Sequence, residues 1–190
     1  MVESDFETIY KHVLVKLRDL DPELTYHCIE HTLDVVMHSA RVAQDESINE
    51  KELYLLKVAA LYHDTGFLYT YNNHESKSCE IFLEDSKEFN FKEGDKNIIT
   101  DLIMATKVPQ QPKNLLQKII CDADLDYLGR HDFDEIAERL KVEFLNYGIV
   151  ADEAEWRHIQ SKFLENHAYH TNSSQLIREP IKKKNIKKMT

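Results

Sequence analysis

The sequence predicts an all-α domain, a compact helical bundle of about seven helices. Three observations carry that expectation. Of 190 residues only 4 are Gly and 4 are Pro, too few for the many turns of a β-sandwich. Apolar residues recur at intervals of three and four along most of the chain, and no stretch keeps the period of two that marks a half-buried strand. With 42% hydrophobic and 31% charged residues, the chain can close a core and is unlike a disordered polymer.

The elements follow in order. Ser4-Asp5-Phe6-Glu7 has capping-box spacing, and Phe6, Ile9, Tyr10, Val13, Leu14 and Leu17 share a helical period, so a first helix is predicted over 5–19, stopped before Pro22. Ile29, Leu33, Val36, Met37 and Ala40 give a second stripe over 26–44. Asn49 with Glu52 forms another capping box. It opens an almost wholly apolar helix through Leu53, Leu56, Val58, Ala60 and Leu61 that ends at Gly66. Further periodic runs predict helices at 75–89, 95–106 and 114–127, the last built on Leu115, Leu116, Ile119 and Ile120. Two more, at 133–146 and 152–168, begin after Asp132, with Glu135 three residues on, and after Ala151. No internal repeat and no Pro- or Ser-rich linker divides residues 1–177, which read as one domain. Residues 178–190 read as a basic C-terminal tail, frayed and solvated around Pro180.

Lys+Arg 24 against Asp+Glu 34 gives a net charge of −10 with His neutral. The balance is uneven: residues 178–190 hold six basic residues against Glu179, a net +5, which leaves −15 on residues 1–177. So acidic a body disfavours capture of nucleic acid or of an anionic membrane as the main function. No run approaches the ~18 consecutive apolar residues of a membrane span. The start, MVESDFETIYKH, lacks the basic-then-apolar layout of a signal peptide, so a soluble, cytoplasmic protein is the expectation. Cys28, Cys79 and Cys121 are odd in number and widely spaced, and no disulfide framework is expected.

The 10 histidines are more unusual than the acidity, and several stand where a buried helix would carry Leu. His27 and His31 are four apart and share a helical face, continued by Asp34 and His38. Such a stripe is either a solvated surface or a ligand-bearing face. His63-Asp64 closes the apolar run LYLLKVAALYHDTG. An imidazole and a carboxylate delivered together at the end of a buried helix need a strong partner, and a divalent metal is one. The other reading is a His favoured by the helix dipole, followed by an Asp-initiated turn. Asp122, Asp124 and Asp126 repel one another unless a cation, hydrogen-bond donors or solvent relieve them. Asp124 is the best ligand of the three, because Ile120, Asp124 and Leu128 stack on one side of a helix, which leaves Asp122 and Asp126 behind the ligands or facing solvent. Imidazole with carboxylate suits borderline to hard divalent ions without any thiolate. Cys28 projects poorly beside His31, so a zinc–thiolate pair is not favoured.

His31, His63-Asp64 and Asp124, in that order and on predicted helices, resemble the H…HD…D signature of the HD-domain superfamily of metal-dependent phosphohydrolases, over roughly residues 20–135. Tyr26-His27-x-x-x-His31-x-x-Asp34-Val35 is also similar to the first motif of cyclic-nucleotide phosphodiesterases within that superfamily. The resemblance implies an HD-type bundle that holds a divalent ion, Mn²⁺, Mg²⁺, Fe²⁺ or another, through His31, His63, Asp64 and Asp124. His27, whose counterpart in the phosphodiesterase-like motif serves as general acid, is the first catalytic candidate. His74-Glu75 in YNNHESKS resembles the NHExxS segment of some HD proteins and adds two candidates for orienting water or substrate; the plainer role is an acid at a helix N-terminus. Thr65-Gly66-Phe67-Leu68 stands where members resembling (p)ppGpp hydrolases carry an acidic pair, so that activity is not supported. Lys107 stands where a binuclear member would have another His, which favours one metal, with His74 keeping a second open.

Two carboxylates cancel a dication, so phosphate recognition calls for further positive charge. Lys107, Arg130 and Lys77 are the candidates, with Lys118 behind them, and each has an ordinary surface charge as its alternative. Tyr69, Tyr71 and Tyr127 are candidates for a base pocket or for core. The expected activity is attack of a metal-activated water on a small phosphate ester, with a nucleotide as the leading substrate class. The rival is an HD-fold regulatory or binding module with little or no turnover. The oligomeric state, a homo-oligomer included, is left open.

Overall fold

The computed structural model describes residues 3–189, with side chains described from Phe6 to Lys188. Among them are ten α-helices, two short 3-10 helices and no strand. The fold is all-α, with more helices than expected. In chain order they are α1 (Glu3–Leu17), α2 (Ile29–Asp45), α3 (Glu50–Tyr62), α4 (His74–Asp85), α5 (Glu93–Ala105), α6 (Leu115–Asp124), α7 (Phe133–Asn146), α8 (Glu153–Asn166), α9 (Asn172–Ile177) and α10 (Glu179–Met189). The 3-10 helices are Thr65–Leu68 and Asp126–Gly129.

The centre of the bundle is α3. Its capping box forms as the sequence predicts: Asn49 Oδ1 accepts the Glu52 N–H and Glu52 Oε2 accepts the Asn49 N–H. Leu55, Leu56 and every residue from Val58 to Tyr62 are buried. A helix apolar on all sides is stable only inside the others, and α1, α2, α4, α5 and α6 surround it. Ile9, Val13 and Leu17 of α1 and Val35 and Val42 of α2 fill this main core with Ile99, Ile103 and Ile120. A second, smaller core gathers Tyr26, Leu125, Leu128, Phe133, Leu164 and Tyr169. Ala123 belongs to the first core and Leu125 to the second, so Asp124 lies at the seam. The Ser4 capping box lies outside the described residues.

Three boundaries that shape the site differ from expectation. α2 begins at Ile29, not at 26: Cys28 is its N-cap with extended backbone, and the N–H groups of Tyr26 and His27 ahead of it donate to Glu143 Oε2 at 2.8 and 2.9 Å. His27 therefore precedes the helix that carries His31. α3 ends at Tyr62, and His63-Asp64 occupies the turn before Thr65–Leu68. At Gly66 a Cβ would lie 2.0 Å from the His74 carbonyl oxygen, so the bare backbone lets α4 dock against this turn. The run predicted at 114–127 breaks after Asp124.

The frayed basic tail is instead helix. α10 packs on Asp126–Gly129, α8 and α9. Lys182 is 1% exposed, pairs with Glu179 at 3.0 Å and donates to the His167 carbonyl. Asn185 Nδ2 donates to the carbonyls of Leu128 (3.0 Å) and Arg130 (3.1 Å). Lys183, Lys184, Lys187 and Lys188 face outward, so a lysine-rich segment conceals a helix with one inward face. Thr190 lies outside the described residues. No described helix is long and apolar enough to cross a membrane, and the three cysteines are unpaired.

Candidate metal centre

Three elements deliver four side chains to one point. His31 comes from the first turn of α2, His63 and Asp64 from the end of α3, and Asp124 is the last residue of α6. His31 Nε2 and His63 Nε2 are 3.3 Å apart. Asp64 Oδ2 lies 3.3 and 3.1 Å from these two nitrogens, and Asp124 Oδ1 lies 3.3 and 3.5 Å from them. Donor atoms of His31, His63 and Asp124 all fall within 4.8 Å of one another. The buried Asp64 Oδ2 has no well-formed hydrogen bond despite these close approaches.

The other atoms of these groups are held from behind. His63 Nδ1–H donates to the Ala60 carbonyl at 2.8 Å, which fixes the tautomer that leaves Nε2 with its lone pair inward. Gln110 Nε2 donates to Asp124 Oδ2 at 3.4 Å, and His74 Nε2 approaches Asp64 Oδ1 at 3.5 Å. Ser78 Oγ accepts the Gly66 N–H and donates to the His63 carbonyl, which ties α4 to the His63-Asp64 turn.

Burial alone would push both imidazoles toward neutrality. The nearby carboxylates of Asp124 and Asp64 outweigh it, raising His31 to about 9 and His63 well above its ordinary value. Burial opposes ionisation of the carboxylates too, yet the two histidines hold Asp124 at about 2 and Asp64 well below the usual range. Protons are thus the cations that the protein alone can offer these two carboxylates. A divalent ion satisfies the same four groups at once, and imidazole nitrogen with carboxylate oxygen is a donor set suited to Mn²⁺, Mg²⁺ or Fe²⁺. The residues present fit such an ion.

A second arrangement adjoins the first. His27 donates from Nδ1 to Glu143 Oε1, the same oxygen that accepts the Tyr71 hydroxyl at 2.9 Å. The His27 ring stacks on Phe67 (4.2 Å between centroids), and Phe67 stacks on His74 (4.0 Å). Glu143 is fully buried. Burial raises its pKa, but hydrogen bonds and charge from His27 and the N–H groups of His27 and Tyr26 hold it below the ordinary carboxylate range. Sequence reasoning missed Glu143. Its one local signal is position, because it interrupts the apolar stripe Ile136, Leu140, Tyr147 on α7.

The remaining candidates separate. Glu75 is buried, with Oε2 lacking a partner, and it lines a cavity of about 440 Å³ together with His27, Asp64, His74, Lys107 and Asp124. Lys107 Nζ donates to Asn73 Oδ1 at 2.8 Å at that cavity's edge. Tyr71 and Tyr127 line it as well, whereas Tyr69 is 71% exposed. Arg130 lies on the opposite side, lining a cavity of about 210 Å³ with His31, Asp34 and Asp124. Its guanidinium binds Asp34 and Asp132 and contacts His38. Lys77 pairs with Glu80 at 2.8 Å and lines neither cavity. Asp122 and Asp126 do not face solvent: both are 0% exposed. Asp122 accepts the N–H groups of His170 and Thr171, and Asp126 binds Arg41 and Arg178.

The HD domain family model matches residues 28–126, just over half of the chain. The match contains His31, His63, Asp64 and Asp124 and stops short of Glu143. No curated protein and no solved structure gives a significant match.

Proposed function

The chain belongs to the HD-domain family, a family of metal-dependent phosphohydrolases, and we propose that it hydrolyses a small phosphate ester, with nucleotides as the leading substrate class. One observation carries this reading: two imidazole nitrogens, the buried Asp64 carboxylate and the half-buried Asp124 carboxylate converge, and one of these oxygens, Asp64 Oδ2, lacks a well-formed hydrogen bond. His31, His63, Asp64 and Asp124 would hold a divalent cation, which when bound would supply charge to offset the phosphoryl oxygens and lower the pKa of the attacking water.

The chain's own groups supply the rest. As the oxygen of water bonds to phosphorus, the ester P–O bond breaks and the departing alkoxide needs a proton. His27 provides it from Nε2, the nitrogen that Glu143 leaves free. Glu143 stays anionic and, through Nδ1, keeps the ring in orientation. His74 and Glu75 face the same space from the start of α4 and orient water and substrate. Lys107 adds the positive charge that Asp64 and Asp124 cancel at the ion. The proton lost by the water returns through solvent to His27, and the products are an alcohol and inorganic phosphate from a monoester, or a nucleoside monophosphate from a cyclic nucleotide.

Asp64→Ala and His31→Ala test the assignment, with metal content by elemental analysis, helicity by circular dichroism, phosphate release from nucleoside monophosphates and simple esters, and formation of the nucleoside monophosphate from cyclic nucleotides. Both variants are expected to lose metal and at least 10³-fold in activity while remaining helical. Full activity in either would overturn the site. A wild-type protein that binds divalent ions yet hydrolyses none of these esters would instead be the regulatory or binding module.

A further inference from the structure

The cavity beside the metal centre extends well beyond what a phosphate group fills. At its near end stand Asp64, His74, Glu75, Asp124 and Lys107. Its far end lies between α7 and α8, where Leu140, Phe144, Ile149, Trp156, Ile159 and Phe163 form the wall and none carries a charge. Phe144 and Trp156 meet edge to face at 5.4 Å, so these rings brace each other. Gln160 adds one amide to that wall, and of all the lining residues Lys107 alone bears a permanent positive charge.

The two ends ask for different chemistry within one ligand. An anion suits the near end and an uncharged, apolar group the far end. A sugar or polyol phosphate would leave its hydroxyls without partners against the rings. A polyphosphate chain would bring several charges to a single lysine. A volume of about 440 Å³ holds one ring system together with one phosphate.

We propose that the α7–α8 end of this cavity seats the organic group of the substrate, and that the group is an uncharged aromatic or heteroaromatic ring on an ester bearing a single phosphate. Trp156, Phe144 and Phe163 are then the specificity-determining residues. The inference rests on the phosphohydrolase reading above, and its test separates the two.

2-Phenylethyl phosphate and ethyl phosphate both release primary alkoxides of similar basicity and differ by the ring. With the metal-loaded full chain, kcat/KM is expected to be at least tenfold higher for the phenylethyl ester, mostly through KM. Trp156, the single tryptophan of the sequence, reports occupancy directly: its emission, excited at 295 nm, is expected to change saturably with the phenylethyl ester and not with the ethyl ester. Ile159→Glu places a carboxylate at the cavity lip, where the side chain is 36% exposed and the change is compatible with folding. It is expected to bring the ratio of the two kcat/KM values close to one. Equal kcat/KM values and equal emission responses in the wild type would overturn the inference. Absence of phosphate release from both esters in protein shown to hold metal would overturn the hydrolase reading instead, and the Trp156 titration would still decide whether the cavity takes a ring.

Discussion

A fully buried carboxylate survives only if its lone pairs meet donors, and Glu143 has four: the N–H groups of Tyr26 and His27, the His27 Nδ1–H and the Tyr71 hydroxyl. The two backbone donors anchor the segment before α2, and the ring donor sets which nitrogen of His27 is left for chemistry. Glu143 is thus a positioning residue, and replacing it should affect the proton more than the metal. Glu143→Gln is expected to keep its metal and to lose on the order of 10²-fold in kcat on an alkyl ester. On a p-nitrophenyl ester, whose oxide departs without a proton, the loss should shrink to a few-fold. Equal losses on both leaving groups, measured as initial rates of phosphate release, would remove His27 from the role of acid. None of this was readable from α7 in isolation. A glutamate in a helical stripe signals an inward polar contact, but its partners lie 72, 116 and 117 residues earlier, and that pairing is set by tertiary packing.

At the scale of elements, the metal centre depends on helix ends meeting. His63-Asp64 is presented where α3 stops, Asp124 where α6 stops, and His31 where α2 starts. The helices themselves were legible in the sequence because caps and apolar runs are local signals, whereas the periodicity carried α3 and α6 a few residues past the stops that present His63-Asp64 and Asp124. The start of α2 was not legible, because a side chain from α7 replaces the missing turn of helix. The docking of α4 depends on one missing Cβ. Gly66→Ala would place a methyl 2.0 Å from the His74 carbonyl oxygen, and backbone cannot yield as a flexible side chain can. The expected cost is about 1–3 kcal/mol, with displacement of His74 and Glu75 from Asp64. Gly94→Ala is the control: it lies in α5, a Cβ there meets nothing within 4 Å, and helix propensity predicts a gain of about 0.5–1 kcal/mol. Urea unfolding of both variants checks the pair, and a neutral Gly66→Ala would show that the turn is not as tight as it is drawn.

For the whole molecule, the two unlike charge blocks of the sequence turn out to be complementary. Part of the −15 on residues 1–177 is interior: Asp85, Asp122, Asp126 and Glu143 are buried anchors beside the metal-site carboxylates. The basic C-terminal segment returns to meet that acidity, with Arg178 Nε on Asp126 Oδ1 at 2.8 Å and Lys182 buried beside Glu179 and His167. Charge counting alone suggests a solvated tail, because neither the inward face of α10 nor the buried acids are visible in composition. The join has a pH signature at His167. Burial, with the charge of Lys182 and then His170 behind it, lowers the His167 pKa to about 3, and Lys182 Nζ donates to its Nδ1 at 3.3 Å. In the unfolded chain the same imidazole titrates near ~6.5. Below that value the unfolded state takes up a proton that the folded state refuses until about pH 3. The contribution is therefore fully present above ~6.5 and is lost as pH falls, with a limiting slope of about 1.4 kcal/mol per pH unit. His167→Asn keeps an acceptor near Lys182 and removes the titration. Between pH 6.5 and pH 4, wild type should lose on the order of 2 kcal/mol more than His167→Asn in urea unfolding. Parallel stability curves for the two proteins would mean that α10 does not hold His167 neutral, and with that the packed C-terminal helix would lose its electrostatic support.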